Sequence, residues 1–515
     1  GGGGGGGAQP GPVGVEGKVQ FESIPFDAKG LDYSHPVLKP ARAVMVELVD
    51  MAGVTLAAGT TDANGQYRLV APQPVLVRLR IYSILRHANR VGSEWSVVVA
   101  DNTNKGAVWV SQSAPFIPGD TPGVINTTIG SGWKIDASTR RPVITADRAA
   151  APFAILDTIY ESQEKVRASL PGATFKPLVV MWSPDNRPSS SYDLATGQIG
   201  SSGFLYSNSI PTIVLAGKAN VDTDEYDSSV ITHEWGHYFQ SEFSRNDSMG
   251  GSHSPGQALD RTLAFSEGFG TAWSGIVLKR SNYIDTSGAG QADVLLQDMA
   301  YGPANGSGWF SEYSIAHVLW KLDQRGGAAP IINTLAGPFK GLAASTGIHA
   351  FNAALIKLDS NAASVFGPLL VSQGISANAD AWGFGETNGG ASTVALPMSR
   401  LLTVANKAGV VCVSRELDKG LAGNKLGEFA YFRVSITTAG IHYLNATGPV
   451  GSRPTFTISD ATGAAVRSLA NPAALNDTSI GLNFPVGDFI LRLTDEKFVN
   501  ENICFIARIN QGNTP

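Results

Sequence analysis

The pentapeptide His233-Glu234-Trp235-Gly236-His237 constrains the fold of this chain most, because its three polar side chains can work together only from a helix. Helical geometry stacks residues four apart on one face, so His233 and His237 project together while Glu234 lies beside them, outside the ligand set. Two neutral imidazoles and an adjacent carboxylate are the parts of a zinc site that activates water. Asp227, Ser228 and Ser229 supply N-cap residues ahead of the pattern, and Val230, Ile231, Trp235, Tyr238 and Phe239 supply apolar surface to bury such a helix.

His, Glu and His also fall at this spacing by chance on solvated helices, so a third ligand is the test. Gln240 and Phe243 stand where a metzincin requires Gly and His, which excludes that class. Glu242 is five residues beyond His237 and points away from the ligand face. Glu267 is the better candidate. It is the one carboxylate in the helix-compatible apolar run 263–273, and burying an isolated carboxylate is expensive unless a metal or a similar partner meets it. A water-bonded or helix-terminal Glu267 without metal is the alternative, and Glu312 is the next ligand candidate.

With His233, Glu234, His237 and Glu267 in these places, residues 145–330 resemble the gluzincin metallopeptidases, the thermolysin-like group that adds a Glu from a following helix to HExxH. The resemblance implies an α+β zincin-like catalytic domain over residues 140–398, one zinc ion held by His233, His237 and Glu267, and Glu234 as general base. It also implies that an extended substrate pairs with the strand before the catalytic helix, here residues 212–215, and that a Tyr or His on a later helix donates to the oxyanion. Tyr313 is the first choice for that donor, followed by His317 and then by His253 in a glycine-rich loop. One departure is that Thr271 stands where many gluzincins carry an Asp, which leaves the partner that orients the first histidine open, with Asp260 a candidate substitute.

Short alternating strands at residues 18–21, 44–48, 67–70 and 75–81, separated by turn residues such as 61–67, predict an N-terminal antiparallel β-sandwich over 13–126. The sequence from Val-Glu-Leu-Val-Asp at 46–50 to the Thr-Thr-Asp-Ala-Asn-Gly turn is similar to carboxypeptidase regulatory-like domains, which are spacers or adhesive modules. A second run of alternation over 401–515, with Pro-Val-Gly-Asp-Phe-Ile-Leu-Arg-Leu at 485–493, resembles the pre-peptidase C-terminal-like β domains of secreted bacterial peptidases. The expected architecture is therefore multidomain, an α+β catalytic domain flanked by two sandwiches, with a boundary in the Gly- and Asn-rich stretch 383–390. The acidic segment 222–227 lacks EF-hand spacing and reads as a solvated turn that caps the catalytic helix, ahead of the calcium-loop alternative.

Only 16% of the residues are charged and the net charge is −5, so there is no basic field for nucleic acid, and no apolar stretch reaches the roughly 18 residues of a membrane span. The low charge suits an exported bacterial protein, at the cell surface, in the periplasm or outside the cell. Residues 1–12 read as a flexible tether. They resemble the segment after the lipid-bearing cysteine of bacterial lipoproteins, which implies a lipid anchor upstream of Gly1; a cloning linker is the alternative. Cys412 and Cys504 lack metal-site spacing and are expected to pair in one disulfide, against two buried thiols. The expected function is a zinc-dependent endopeptidase acting on peptide or protein substrates. The alternatives are a surface adhesion protein with an inactive peptidase-like centre, and a zinc amidase or esterase.

Overall fold

The computed structural model describes residues 10–87, 95–120, 123–388, 391, 397–405, 408–418, 423–460, 465–470 and 477–512. Most of the tether expected at 1–12, and the last two residues of the 383–390 boundary, lie outside them. The residues group into two compact units, one reaching to residue 238 together with 277–297, the other comprising 239–276 and 298 onward.

The first unit is built on a nine-stranded sheet. Its main path runs Gly203–Ser207, Ile210–Leu215, Leu178–Trp182, Val97–Asp101, Val77–Leu85, Val44–Asp50 and Thr55–Thr60. Leu178–Trp182 pairs in parallel with strands on both sides, and the pairings towards Thr55–Thr60 are antiparallel. Helix α1 (Ala151–Ser169) packs on Val77–Leu85 and Val97–Asp101 and buries Phe153, Ile155, Leu156 and Ile159. A four-stranded sheet joins Val13–Ser23 to Thr127–Ile129, Val37–Pro40 and Gln66–Ala71. Its turn follows from side-chain chemistry. Asp62 Oδ1 accepts from the backbone N–H of Asn64 and Gln66 at 2.8 and 2.9 Å, and Gly65 holds φ +75° where a Cβ would fall 2.5 Å from the Val19 carbonyl oxygen.

This sheet overturns the expected α+β catalytic domain. Strands expected in an N-terminal sandwich and strands expected in the catalytic domain form one sheet, so no separate zincin-like domain forms over 140–398. Among the described residues there are thirty-two strands in eight sheets and seven α-helices of 8 to 19 residues. The fold is an all-β multidomain one with short helices between the sheets. The cause is non-local. Alternation marks which face of a strand is buried, but the parallel pairing of Val97–Asp101 with Leu178–Trp182 joins segments some eighty residues apart, and no local pattern encodes it.

The second unit carries the helices α3 (Arg261–Leu278), α4 (Glu312–Gly326), α5 (Ala329–Ala336), α6 (Ile348–Leu358) and α7 (Ser360–Ser372), and two facing sheets at its C-terminal end. The five-stranded sheet runs Arg400–Leu402, Ala430–Ile436, Gly487–Asp495, Pro454–Ser459 and Ala465–Ala470. The four-stranded sheet runs Ala408–Ser414, Asn502–Gln511, Gly440–Thr447 and Asp477–Phe484. Phe432, Val434, Leu444, Phe456, Leu491, Phe505 and Ile509 fill the space between them. Cys412 and Cys504 face each other in register on neighbouring strands and form a disulfide. No helix among the described residues is long and apolar enough to cross a membrane.

Candidate metal centre

His233, Glu234 and His237 lie on α2 (Ser228–Phe243), as the spacing predicts. The helix is anchored by Val230, Ile231, Trp235, Tyr238 and Phe239, all at most 4% exposed, and the Tyr238 hydroxyl donates to the Lys176 carbonyl at 2.6 Å. Asp227 precedes the first turn, where its backbone carbonyl accepts from Val230 and Ile231. Its carboxylate accepts from the backbone N–H and hydroxyl of Thr286, which fixes the helix start to strand Asn282–Ser287.

The two imidazoles converge. Their Nε2 atoms are 3.1 Å apart with the rings nearly perpendicular. Two nitrogens bound tetrahedrally at about 2.0–2.1 Å to one zinc would be roughly 3.3 Å apart, so the pair fits a shared ion with little movement. His233 and His237 belong to the first unit and Glu267, the third expected ligand, to the second. The donor set of two imidazoles and a carboxylate is the chemistry that zinc takes.

Glu267 sits on α3, a helix enclosed by its own apolar residues: Leu263, Ala264, Phe265, Phe269, Ala272, Trp273 and Ile276 are all buried. His253 lies against it, with Nε2 3.4 Å from Glu267 Oε2 and Nδ1 3.0 Å from Glu312 Oε2. The loop histidine placed third among the oxyanion donors thus sits between two carboxylates. Glu312, the reserve ligand, groups with His253 and Glu267. The glycine after Glu267 makes this closeness achievable, since a Cβ on Gly268 would fall 2.6 Å from Ile315 Cβ and 2.8 Å from the Glu312 carbonyl.

Asp260 does not orient a histidine. Its Oδ1 accepts from the backbone and hydroxyl of Thr262, capping α3, and its Oδ2 accepts from the Tyr431 hydroxyl at 2.8 Å. The carboxylate whose charge acts on the α2 site is Asp285, held up at about 6 by burial and by Glu234, while His233 pulls it down. Tyr283 lies two residues before it on the same strand face, its ring 5.8 Å from that of His233. Burial and the charges of Asp285 and Glu234 raise its hydroxyl pKa well above the usual value. Sequence reasoning missed both residues. Their only signal is the two-residue spacing in a strand directly after α3.

On α4, His317 Nδ1 is 2.8 Å from the Met299 carbonyl and so carries the proton, and burial lowers the ring's pKa. Tyr313 is half-buried, and its hydroxyl is pushed up to about 12 by burial and by Glu312. The strand expected to receive substrate is not an edge. Residues 212–215 pair with Leu178–Trp182 on one side and Gly203–Ser207 on the other, and Gly203–Ser207 ends the sheet among the described residues.

The chain matches no known family and no curated protein. Among solved structures it is similar to the pre-peptidase C-terminal domain of a collagenase from Bacillus anthracis, at 12% identity over 22% of this chain and 94% of that one, with a TM-score of 0.17. It is also similar to CorA, a surface-associated copper-binding protein of Methylomicrobium album BG8, at 9% identity over 22% of this chain and 98% of that one, with a TM-score of 0.17. Likenesses this weak carry no argument, so the gluzincin resemblance rests on His233, Glu234, His237 and Glu267 alone.

Proposed function

We propose that the chain is a zinc-dependent peptidase, an endopeptidase, with His233, His237 and Glu267 as the metal ligands. The observation that carries this reading is the convergence of the two Nε2 atoms at 3.1 Å on a helix that also presents Glu234. When bound, zinc lowers the pKa of water and polarises a carbonyl. Glu234 takes a proton from the attacking water and delivers it to the leaving amine. Gly203–Ser207 offers its outer edge to an extended peptide, which gives main-chain affinity with loose side-chain selectivity. The oxyanion donor is assigned to Tyr313 over His317, because an imidazole whose Nδ1–H is committed to Met299 leaves Nε2 as an acceptor only. The Cys412–Cys504 disulfide supports an exported location, where oxidising conditions preserve it.

Elemental analysis and peptide-library digestion test the reading together. Chelator-free protein is expected to carry one zinc and cleave internal peptide bonds. Glu267→Ala should lose the metal, and Glu234→Gln should keep it while losing turnover. A Glu234→Gln variant that cleaves at the wild-type rate would refute the mechanism.

A further inference from the structure

The acidic segment ahead of α2 is not solvated. Asp224, Glu225 and Asp227 are at most 2% exposed. Two of these charges are met, Glu225 by Arg148 and Asp227 by the backbone N–H and hydroxyl of Thr286. Asp222 and Asp224 differ. Asp224 Oδ2 accepts from the Ser202 hydroxyl, but its Oδ1 is sealed from solvent with no hydrogen-bond partner, and Asp222 Oδ1 is in the same position. A third carboxylate comes from Asp285, on the strand that pairs with Asp222–Thr223. One oxygen from each of the three lies within 4.8 Å of the others, and among the described residues none of the three forms an ion pair with a basic side chain.

One buried and two half-buried carboxylates this close together repel one another, and an unpaired buried oxygen adds its own desolvation penalty. A cation removes both costs. We propose that Asp222, Asp224 and Asp285 form a calcium site, separate from the zinc ligands. The donor set is entirely oxygen, which suits a hard cation. Calcium takes six to eight oxygen ligands in a flexible geometry, which a set of carboxylates on a turn and a strand can supply, whereas magnesium demands a near-ideal octahedron and keeps several of its waters. The bound ion ties the segment leading into α2 to the strand that carries Tyr283 against His233, so it braces the metal-binding helix from outside the zinc shell.

The test uses the full chain with its zinc content verified and calcium removed from the buffer. Calorimetric titration with calcium chloride should show one saturable site. Thermal unfolding should rise by several degrees with calcium and much less with the same concentration of magnesium. Asp222→Asn and Asp224→Asn should each weaken calcium binding at least tenfold and abolish the thermal gain. Asp222→Asn should also unfold no earlier than the calcium-free wild type, because it removes a repelling charge; this separates a lost ligand from a damaged fold, and decides the matter if Asp224→Asn does not fold. Absence of calcium binding by the wild type, an equal response to magnesium, or a wild-type calcium response in Asp222→Asn would overturn the proposal.

Discussion

A histidine with a carboxylate on each ring nitrogen can donate to both only when doubly protonated. His253 is in that position between Glu267 and Glu312, so under the proposed zinc site it would fix the orientation and charge of Glu267. Residues that hold a metal ligand in place typically contribute 10- to 100-fold to metal affinity. His253→Ala should therefore weaken zinc binding by about that factor in a competition assay against a chromogenic chelator, and His253→Gln, which keeps one donor, should fall between it and the wild type. Equal affinity in all three would leave His253 a surface residue. At this scale the sequence was legible where chemistry is local: HExxH specifies its own helix and its own facing side chains. It misled where partners come from afar. Asp260 was a candidate substitute for the Asp that Thr271 replaces, yet its oxygens serve Thr262 and Tyr431. Asp285 was marked only by its two-residue spacing from Tyr283 in the strand after α3.

Helices α3 and α4 show how one element sets the reach of another. Gly268 leaves no room for a side chain against Ile315 and the Glu312 carbonyl, and neither that backbone oxygen nor the β-branched Ile315 Cβ, bonded directly to its own backbone, can yield as the end of a flexible side chain would. Gly268→Ala should push the first turn of α4 away from α3 and destabilise the protein by about 1–3 kcal/mol, the usual range for overpacking, as read by urea unfolding. Zinc affinity should fall with it, because Glu312 opens α4 and touches His253. Unchanged stability would mean that α4 shifts without strain. Histidine spacing identified α2, and apolar runs at 263–273 and 211–216 identified α3 and the strand Ile210–Leu215, but not the place of that strand in its sheet. The order of strands depends on Gly203–Ser207 folding back to take the edge, and alternation alone cannot distinguish an edge strand from its neighbour.

Across the whole molecule, the expected α+β fold class gave way to an all-β one because strands far apart in the chain share one sheet, whereas the disulfide expected from two late cysteines formed across adjacent strands. Global stability also carries charges that composition conceals. Glu428 is 3% exposed, and burial first, then the neighbouring Asp418, push its carboxyl up to about 7, with Arg415 opposing. A carboxyl whose folded pKa exceeds its unfolded value of 4.5 binds more protons in the native state. Its contribution is fully present below the unfolded pKa and is lost as pH rises through about 7. At about 1.4 kcal/mol per pKa unit, ionising it costs the fold roughly 3 kcal/mol at most. Glu428→Gln mimics the protonated form at every pH. The variant and the wild type should therefore unfold at similar denaturant concentrations at pH 4, with the variant increasingly more stable from pH 5 to pH 8. The difference between the two curves isolates Glu428 from Asp222 and Asp285, which titrate alike in both proteins. Parallel curves across that range would show that Arg415 already neutralises Glu428.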